Sequence, residues 1–286
     1  MNSSEKGKAQ SIRQRLLNRA RETGDDYNLL LNRYAIERLL YRVSESPHVD
    51  GFVLKGAMLF TVWTGALHRP TRDLDLLGFG QPSAERLAGV FRDICNQAVE
   101  DDGMRFESET IKADPIREEN AYAGIRLRIH ARLGNAWFDV QVDVGFGDVV
   151  TPDVVTAKYP TLLDQPAPRL RMYTPESVIA EKLEAIVSLG IANSRMKDFH
   201  DLWVLLREFP LEDAAIAKAI RATFERRGTA IPSDVPVGLT AEFAEDPARQ
   251  KQWTAFLRRS GLDDAPALSA VVDVLRKRLV PLLIHS

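Results

Sequence analysis

Two stretches of the chain alternate strictly between apolar and polar residues, and they flank Gly134-Asn135. In the first, Ile125, Leu127, Ile129 and Leu133 fall on one side, with Arg126, Arg128, His130 and Arg132 on the other. In the second, Val140, Val142 and Val144 oppose Asp139, Gln141 and Asp143. Alternation with period two predicts a half-buried hairpin with strands over 122–133 and 137–146. A further strand is predicted over 104–112. Upstream, Phe52-Val53-Leu54 is a short apolar strand that ends in Lys55-Gly56-Ala57. An apolar helix follows from Met58 to Trp63, and Asp73-Leu74-Asp75-Leu76 alternates again.

Elsewhere the apolar spacing becomes helical. Residues 28–45 read as an amphipathic helix ending before Pro47, and Ser83 can cap a helix through Val99. Residues 1–24 are polar and basic, with a helix over their second half. From Thr174 onward the pattern is helical throughout, with Thr174 as N-cap and Pro175 in the first helical position. Helices are predicted over 175–189, 194–207, 212–226, 247–259 and 266–283. The Pro-rich stretch 160–175 reads as a boundary. The predicted architecture is α+β and bilobed, with an α/β lobe over 1–165 and a helical lobe over 166–286, facing each other across a cleft.

Composition narrows the function classes. With 286 residues, 45% of them apolar and 27% charged, the chain can bury a large core. A net charge of −2 supplies no global field for nucleic acid, so any RNA contact must come from a local patch. The single cysteine, Cys95, excludes an intramolecular disulfide and a multi-cysteine metal site, and its apolar neighbours suggest a buried thiol. No apolar leader or membrane-length apolar run is present, so a cytoplasmic protein with no membrane partner is expected. Walker, GxGxxG and HExxH motifs and internal repeats are absent from the sequence.

The candidate chemistry begins with Asp73 and Asp75. On one strand face their Cα atoms lie about 6–7 Å apart, while Leu74 and Leu76 face the core. Paired carboxylates suit a hard divalent ion, Mg²⁺ or Mn²⁺, that also takes phosphate oxygens. Gly56 allows backbone amides, including that of Ala57, to approach a phosphate. A third carboxylate from the hairpin would complete a phosphoryl-transfer site. Asp143 is the candidate, Asp139 the reserve, and a polar outer hairpin face the alternative. The stripe of Arg126, Arg128 and Arg132 could track RNA, or could simply pair with Asp139 and Asp143.

The helical half carries a second set. Lys182 intrudes into the apolar arc of its helix, whereas Glu181, Glu184 and Ser188 form the opposite, polar face. Asp198 intrudes into the arc of the next helix, and Arg195 shares its face. Unpaired buried charges are costly, so these groups must pair, reach a cleft, or both. A purely structural Lys182–Asp198 bridge is one reading. A lysine held by an aspartate and aimed at a triphosphate is the other.

Gly56-Ala57 followed by Asp73-x-Asp75 resembles the nucleotidyltransferase signature, with Ala57 where glycine or serine is usual. Tyr173-Thr-Pro-Glu-Ser-Val-Ile-Ala-Glu-Lys-Leu-Glu-Ala and Asn193-Ser-Arg-Met-Lys-Asp-Phe-His-Asp-Leu resemble motifs of the AbiEii/AbiGii family of nucleotidyltransferase toxins, which includes the MenT toxins. The resemblance spans roughly 34–283. It implies a nucleotidyltransferase-like mixed sheet core and a helical C-terminal lobe, with Gly56, Asp73, Asp75, Lys182 and Asp198 in the functional motifs. It further implies transfer of NMP from an NTP, with a tRNA 3′ end as acceptor, growth arrest, and a cognate antitoxin. Transfer to a protein or small molecule, and a non-catalytic nucleotide-binding module, are the alternatives.

Overall fold

A computed structural model describes residues 3–116 and 124–284. The chain forms two compact units, one of residues 1–147 with 155–172, the other of residues 148–154 with 173–286.

The first unit opens with helices α1 (Ser3–Thr23) and α2 (Tyr27–Glu45). The Asp26 side chain caps α2 by accepting from the Leu29 amide at 2.8 Å. Strand β1 (Phe52–Lys55), helix α3 (Leu59–Thr64), strand β2 (Asp73–Gly78) and helix α4 (Ala84–Cys95) follow. Then come β3 (Met104–Phe106), β4 (Lys112–Ile116), β5 (Gly124–Leu133) and β6 (Ala136–Phe146). A last hairpin, β7 (Val155–Lys158) and β8 (Arg169–Met172), closes the unit. The strands form one mixed sheet in the order β3-β5-β6-β2-β1-β8-β7, with β4 also pairing to β5. The β2/β6 and β1/β8 pairs are parallel and the others antiparallel.

Alternation decides which face is buried. Leu74, Leu76, Ile125, Leu127, Ile129, Val140, Val142 and Val144 are all buried. Helices α1, α2 and α4 pack on the sheet and on one another. The polar residues of β2, β5 and β6 share the opposite face. At roughly 25 cal/mol per Å² of apolar surface, this layer is the main source of the unit's stability.

The hairpin turns at Gly134-Asn135 as expected, with Gly134 at φ +62° and Leu133 opposite Ala136. Several expectations change. The strand expected over 104–112 is two strands separated by a 3₁₀ turn at Ser108–Thr110. β5 keeps its hydrogen bonds across that break, because His130 O accepts from Glu107 N at 2.8 Å and His130 N donates to Thr110 Oγ1 at 3.1 Å. Residues 122–123, the expected start of the next strand, lie outside the described residues. Helix α4 stops at Cys95, four residues before Val99, where the Asn96 amide donates to the Arg92 and Asp93 carbonyls and the Gln97 amide to that of Ile94. Helix α1 occupies the polar N-terminal segment from Ser3, not merely its second half.

The Pro-rich segment holds another surprise. Four-residue strand β7 precedes it and four-residue β8 lies within it, both too short to announce themselves by period, and Leu54 aligns with Met172 in the sheet. The segment is anchored to α2. Glu37 Oε2 accepts from Leu162 N at 2.6 Å, Arg38 donates to Pro166 O at 2.9 Å, and the two side chains pair at 2.9 Å. Burial is the largest influence on Glu37, pushing its carboxyl up to about 7 against the opposing field of Arg38.

The second unit is helical: α5 (Pro175–Leu189), α6 (Met196–Glu208), α7 (Asp213–Arg227), α8 (Ala241–Glu245), α9 (Pro247–Ser260) and α10 (Leu268–Ile284). The short α8 was not expected from the pattern. Glu184 also departs from expectation. The face of α5 that carries it packs on α7, and Glu184 is buried. Its carboxylate accepts from Arg227 at 2.6 Å and from Thr229 at 2.6 Å. Arg227 also reaches Asp148 at 2.9 Å and Glu181 at 3.7 Å.

Candidate active site

On the polar face of the sheet, charged residues line up across four adjacent strands. Lys55 of β1 is the register partner of Asp75 of β2. Asp75 is the partner of Asp143 of β6, and Asp143 of Arg126 of β5. Register partners project to the same side, so the row reads cation, carboxylate, carboxylate, cation. Asp73 lies one pleat along β2 from Asp75, opposite Gln141. Asp139 is two pleats from Asp143 and is bonded to His130, so the register sets Asp143, not Asp139, beside Asp75.

Local structure explains each position. Gly56, at the end of β1, has φ +75°, a conformation that disfavours any side chain. A Cβ there would sit 2.7 Å from the Asp75 Cβ, so the glycine also makes room for that carboxylate. Ala57 is buried and contributes only its backbone to the turn, its carbonyl accepting from Phe60 N at 3.2 Å. Lys55 extends over Gly145, whose absent Cβ would lie 3.8 Å from the ammonium.

Arg126 grips Asp143 through two hydrogen bonds, Nε to Oδ1 at 2.8 Å and Nη2 to Oδ2 at 2.7 Å. These bonds raise the guanidinium pKa, and the fields of Asp143, Asp73 and Asp75 add to the effect, against partial burial. Three carboxylates therefore share one electrostatic neighbourhood, with Arg126 and Lys55 at its two ends. The rest of the β5 stripe is also paired. Arg128 meets Asp114 at 3.1 Å, and Arg132 meets Glu107 at 2.7 Å while lying 5.6 Å from the Trp137 ring centroid. The stripe that could have tracked RNA is thus matched cation for carboxylate.

The helical unit holds the second set. Lys182 Nζ donates to Asp198 Oδ1 at 2.6 Å and lies 2.8 Å from Asp201 Oδ2. Arg195 Nε lies 2.8 Å from Asp198 Oδ2. Both aspartates are fully buried, whereas Lys182 keeps 15% of its side chain exposed. Burial is the strongest influence on Asp198 and would raise its pKa. The fields of Lys182, Arg195 and Lys197 together outweigh it and hold the carboxyl below its ordinary range. The lysine is thus fixed at its tip with its stem packed.

A family model described as the AbiEii nucleotidyl transferase toxins of type IV toxin–antitoxin systems matches residues 38–274. The chain belongs to this family. Two solved structures from Helicobacter pylori share the fold of this AbiEii-family chain. JHP933 is 14% identical over 91% of this chain and 93% of its own, with a TM-score of 0.51. A candidate nucleotidyltransferase is 13% identical over 90% and 98% respectively, also with a TM-score of 0.51. No curated protein matches the chain significantly. The mixed sheet with its helices is thus a nucleotidyltransferase-type α+β fold.

Two members of the two charged sets, and the Arg227 that pairs with Glu184, escaped the sequence reading. Asp201 follows Asp198 by three residues, a spacing that puts both on one helical face and could have revealed it. Lys55 stands beside the Gly56 turn, but its alignment with Asp75 depends on the β1/β2 register. Arg227 lies at the far end of α7 and gave no local signal. Cys95 is buried as expected, and burial pushes its thiol up to about 12, so it stays protonated.

Proposed function

We propose that this AbiEii-family chain transfers a nucleoside monophosphate from an NTP to the 3′ end of an RNA, tRNA being the expected class. A toxin acting this way blocks growth until a cognate antitoxin neutralises it. The observation that carries the reading is the row Lys55–Asp75–Asp143–Arg126, with Asp73 one pleat away.

An all-oxygen set of three carboxylates on adjacent strands fits a hard divalent ion, and Asp73, Asp75 and Asp143 are the residues that would hold Mg²⁺ or Mn²⁺. When bound, such an ion neutralises phosphate charge and lowers the pKa of a coordinated hydroxyl. The chain's own residues do the positioning. Gly56 brings backbone close to Asp75 without side-chain bulk, and the amide of Ala57 follows it in the turn. Lys55 and Arg126 bracket the carboxylates and limit their mutual repulsion. In the helical unit, Lys182 is the cation assigned to the triphosphate, its tip fixed by Asp198 and Asp201. A fixed ammonium stabilises charge developing on phosphate oxygens without reorganising.

The test is incubation with each labelled NTP and total RNA, followed by separation of RNA from protein. Label in RNA that requires a divalent ion and disappears in D73N/D75N supports the reading. Label confined to protein bands rejects the RNA acceptor.

A further inference from the structure

One groove of the helical unit is lined by cations and by no carboxylate. It encloses about 600 Å³ between the start of α6 and one face of α9, a volume typical of ligand sites. Arg195 and Lys197 come from the α6 side, Lys251 and Arg259 from α9. Lys251 and Arg259 are eight residues apart, so a helix presents them on the same side. Met196 and Phe256 form a buried apolar floor. Phe256 is held from behind by Trp253 and His200, with ring centroids at 5.6 Å and 5.8 Å.

The charge balance separates this groove from the β5 stripe. There, Arg126, Arg128 and Arg132 each meet a carboxylate. Among the described residues, Lys197, Lys251 and Arg259 form no salt bridge. Arg195 is the exception, and an informative one. It lines the groove and pairs with Asp198, which holds Lys182. The groove wall therefore runs into the Lys182–Asp198 pair.

We propose that this groove holds the single-stranded end of the acceptor RNA, its phosphates along Arg195, Lys197, Lys251 and Arg259 and a base against Met196 and Phe256. Four cations beside an apolar floor match a chain of alternating phosphates and planar bases. The inference rests on the RNA-acceptor reading above and assigns the acceptor to α6 and α9 instead of β5.

The test uses the full-length chain and the variant K251E/R259E, which leaves Arg195 and Lys197 in place. A short fluorescent single-stranded RNA is titrated at several salt concentrations, and a fluorescent NTP is titrated separately. The variant is expected to bind RNA at least about tenfold more weakly near 0.1 M salt, and its log–log salt slope to shrink by about 1.4, for two lost phosphate contacts. NTP affinity and melting temperature should stay at wild-type values, and R128Q/R132Q should leave RNA affinity within about twofold. Unchanged RNA affinity in K251E/R259E, with wild type still labelling RNA, overturns the groove and leaves the RNA acceptor standing. Wild type that binds no RNA and labels only protein overturns both. Loss of NTP affinity in K251E/R259E overturns the RNA assignment of the groove.

Discussion

Asp75 and Asp143 are direct register partners on the adjacent parallel strands β2 and β6, two carboxylates side by side on the open face of the sheet. Like charges placed opposite one another destabilise a sheet. Here Arg126 closes on Asp143 from the β5 side, and Lys55 stands opposite Asp75 on the β1 side. The arrangement spends stability on a local concentration of negative charge, as expected of a site that receives a cation.

That repulsion makes the carboxylates testable independently of folding. D73N/D75N should lose nucleotide transfer by at least about a hundredfold. Its melt in EDTA should remain cooperative, so that the loss of transfer reports the missing carboxylates and not unfolding. A folded variant with wild-type turnover would show that Asp73 and Asp75 take no part in transfer.

Gly56 should be intolerant for two separable reasons. Gly24 has nearly the same φ, +76° against +75°, but nothing within 4 Å of its would-be Cβ. G24A therefore reports the backbone cost alone, about 1–2 kcal/mol. G56A adds a clash with the Asp75 side chain, so it should lower the melting temperature further and abolish transfer. Equal melting shifts in the two variants would remove the clash from the account.

The Lys182 network should govern acid stability. Asp198 has a depressed folded pKa, so its contribution is present above the ordinary aspartate pKa of 3.8 and is lost as pH falls through the lower folded value. K182M removes its main cation and leaves Asp198 and Asp201 buried with Arg195. The acid-unfolding midpoint should move to higher pH, and stability at pH 7 should fall by about 3–5 kcal/mol. Circular dichroism against pH reads the first, urea denaturation the second.

Glu37 predicts the opposite slope. Its folded pKa, about 7, exceeds the ordinary 4.5, so the native state binds the extra proton between those values. Its contribution therefore falls as pH rises from about 4.5 to about 7, by about 3 kcal/mol in all. Comparing urea denaturation at pH 5 and pH 8, E37Q should lose less stability than wild type over that interval. Parallel behaviour of the two proteins would count against a protonated Glu37.

Much of this was legible because period two and period 3.6 are local properties. Alternation alone set Asp73 with Asp75 on one face, and Arg126, Arg128 and Arg132 on one face of β5. Helical spacing alone exposed Lys182 and Asp198 as charges within apolar arcs, and burial then required the partners they have. Expectations failed where local pattern was too short or misleading. The strands β7 and β8 have four residues each, and the α5 face bearing Glu184 looked solvated only because Arg227 is 43 positions away in sequence.

The sequence by itself determined most of the strands and helices, the face of each side chain in the alternating strands, and the residue types able to bind a cation and a triphosphate. Tertiary structure decided which strands are neighbours and in what register. That choice set Asp143 beside Asp75, left Asp139 to His130, brought Lys55 opposite Asp75, and matched the β5 arginines to carboxylates. The physical reason is that periodicity follows from backbone geometry within a few residues. Strand order and charge pairing follow instead from minimising exposed apolar surface and unpaired buried charge over the whole unit, and no window of sequence contains that comparison.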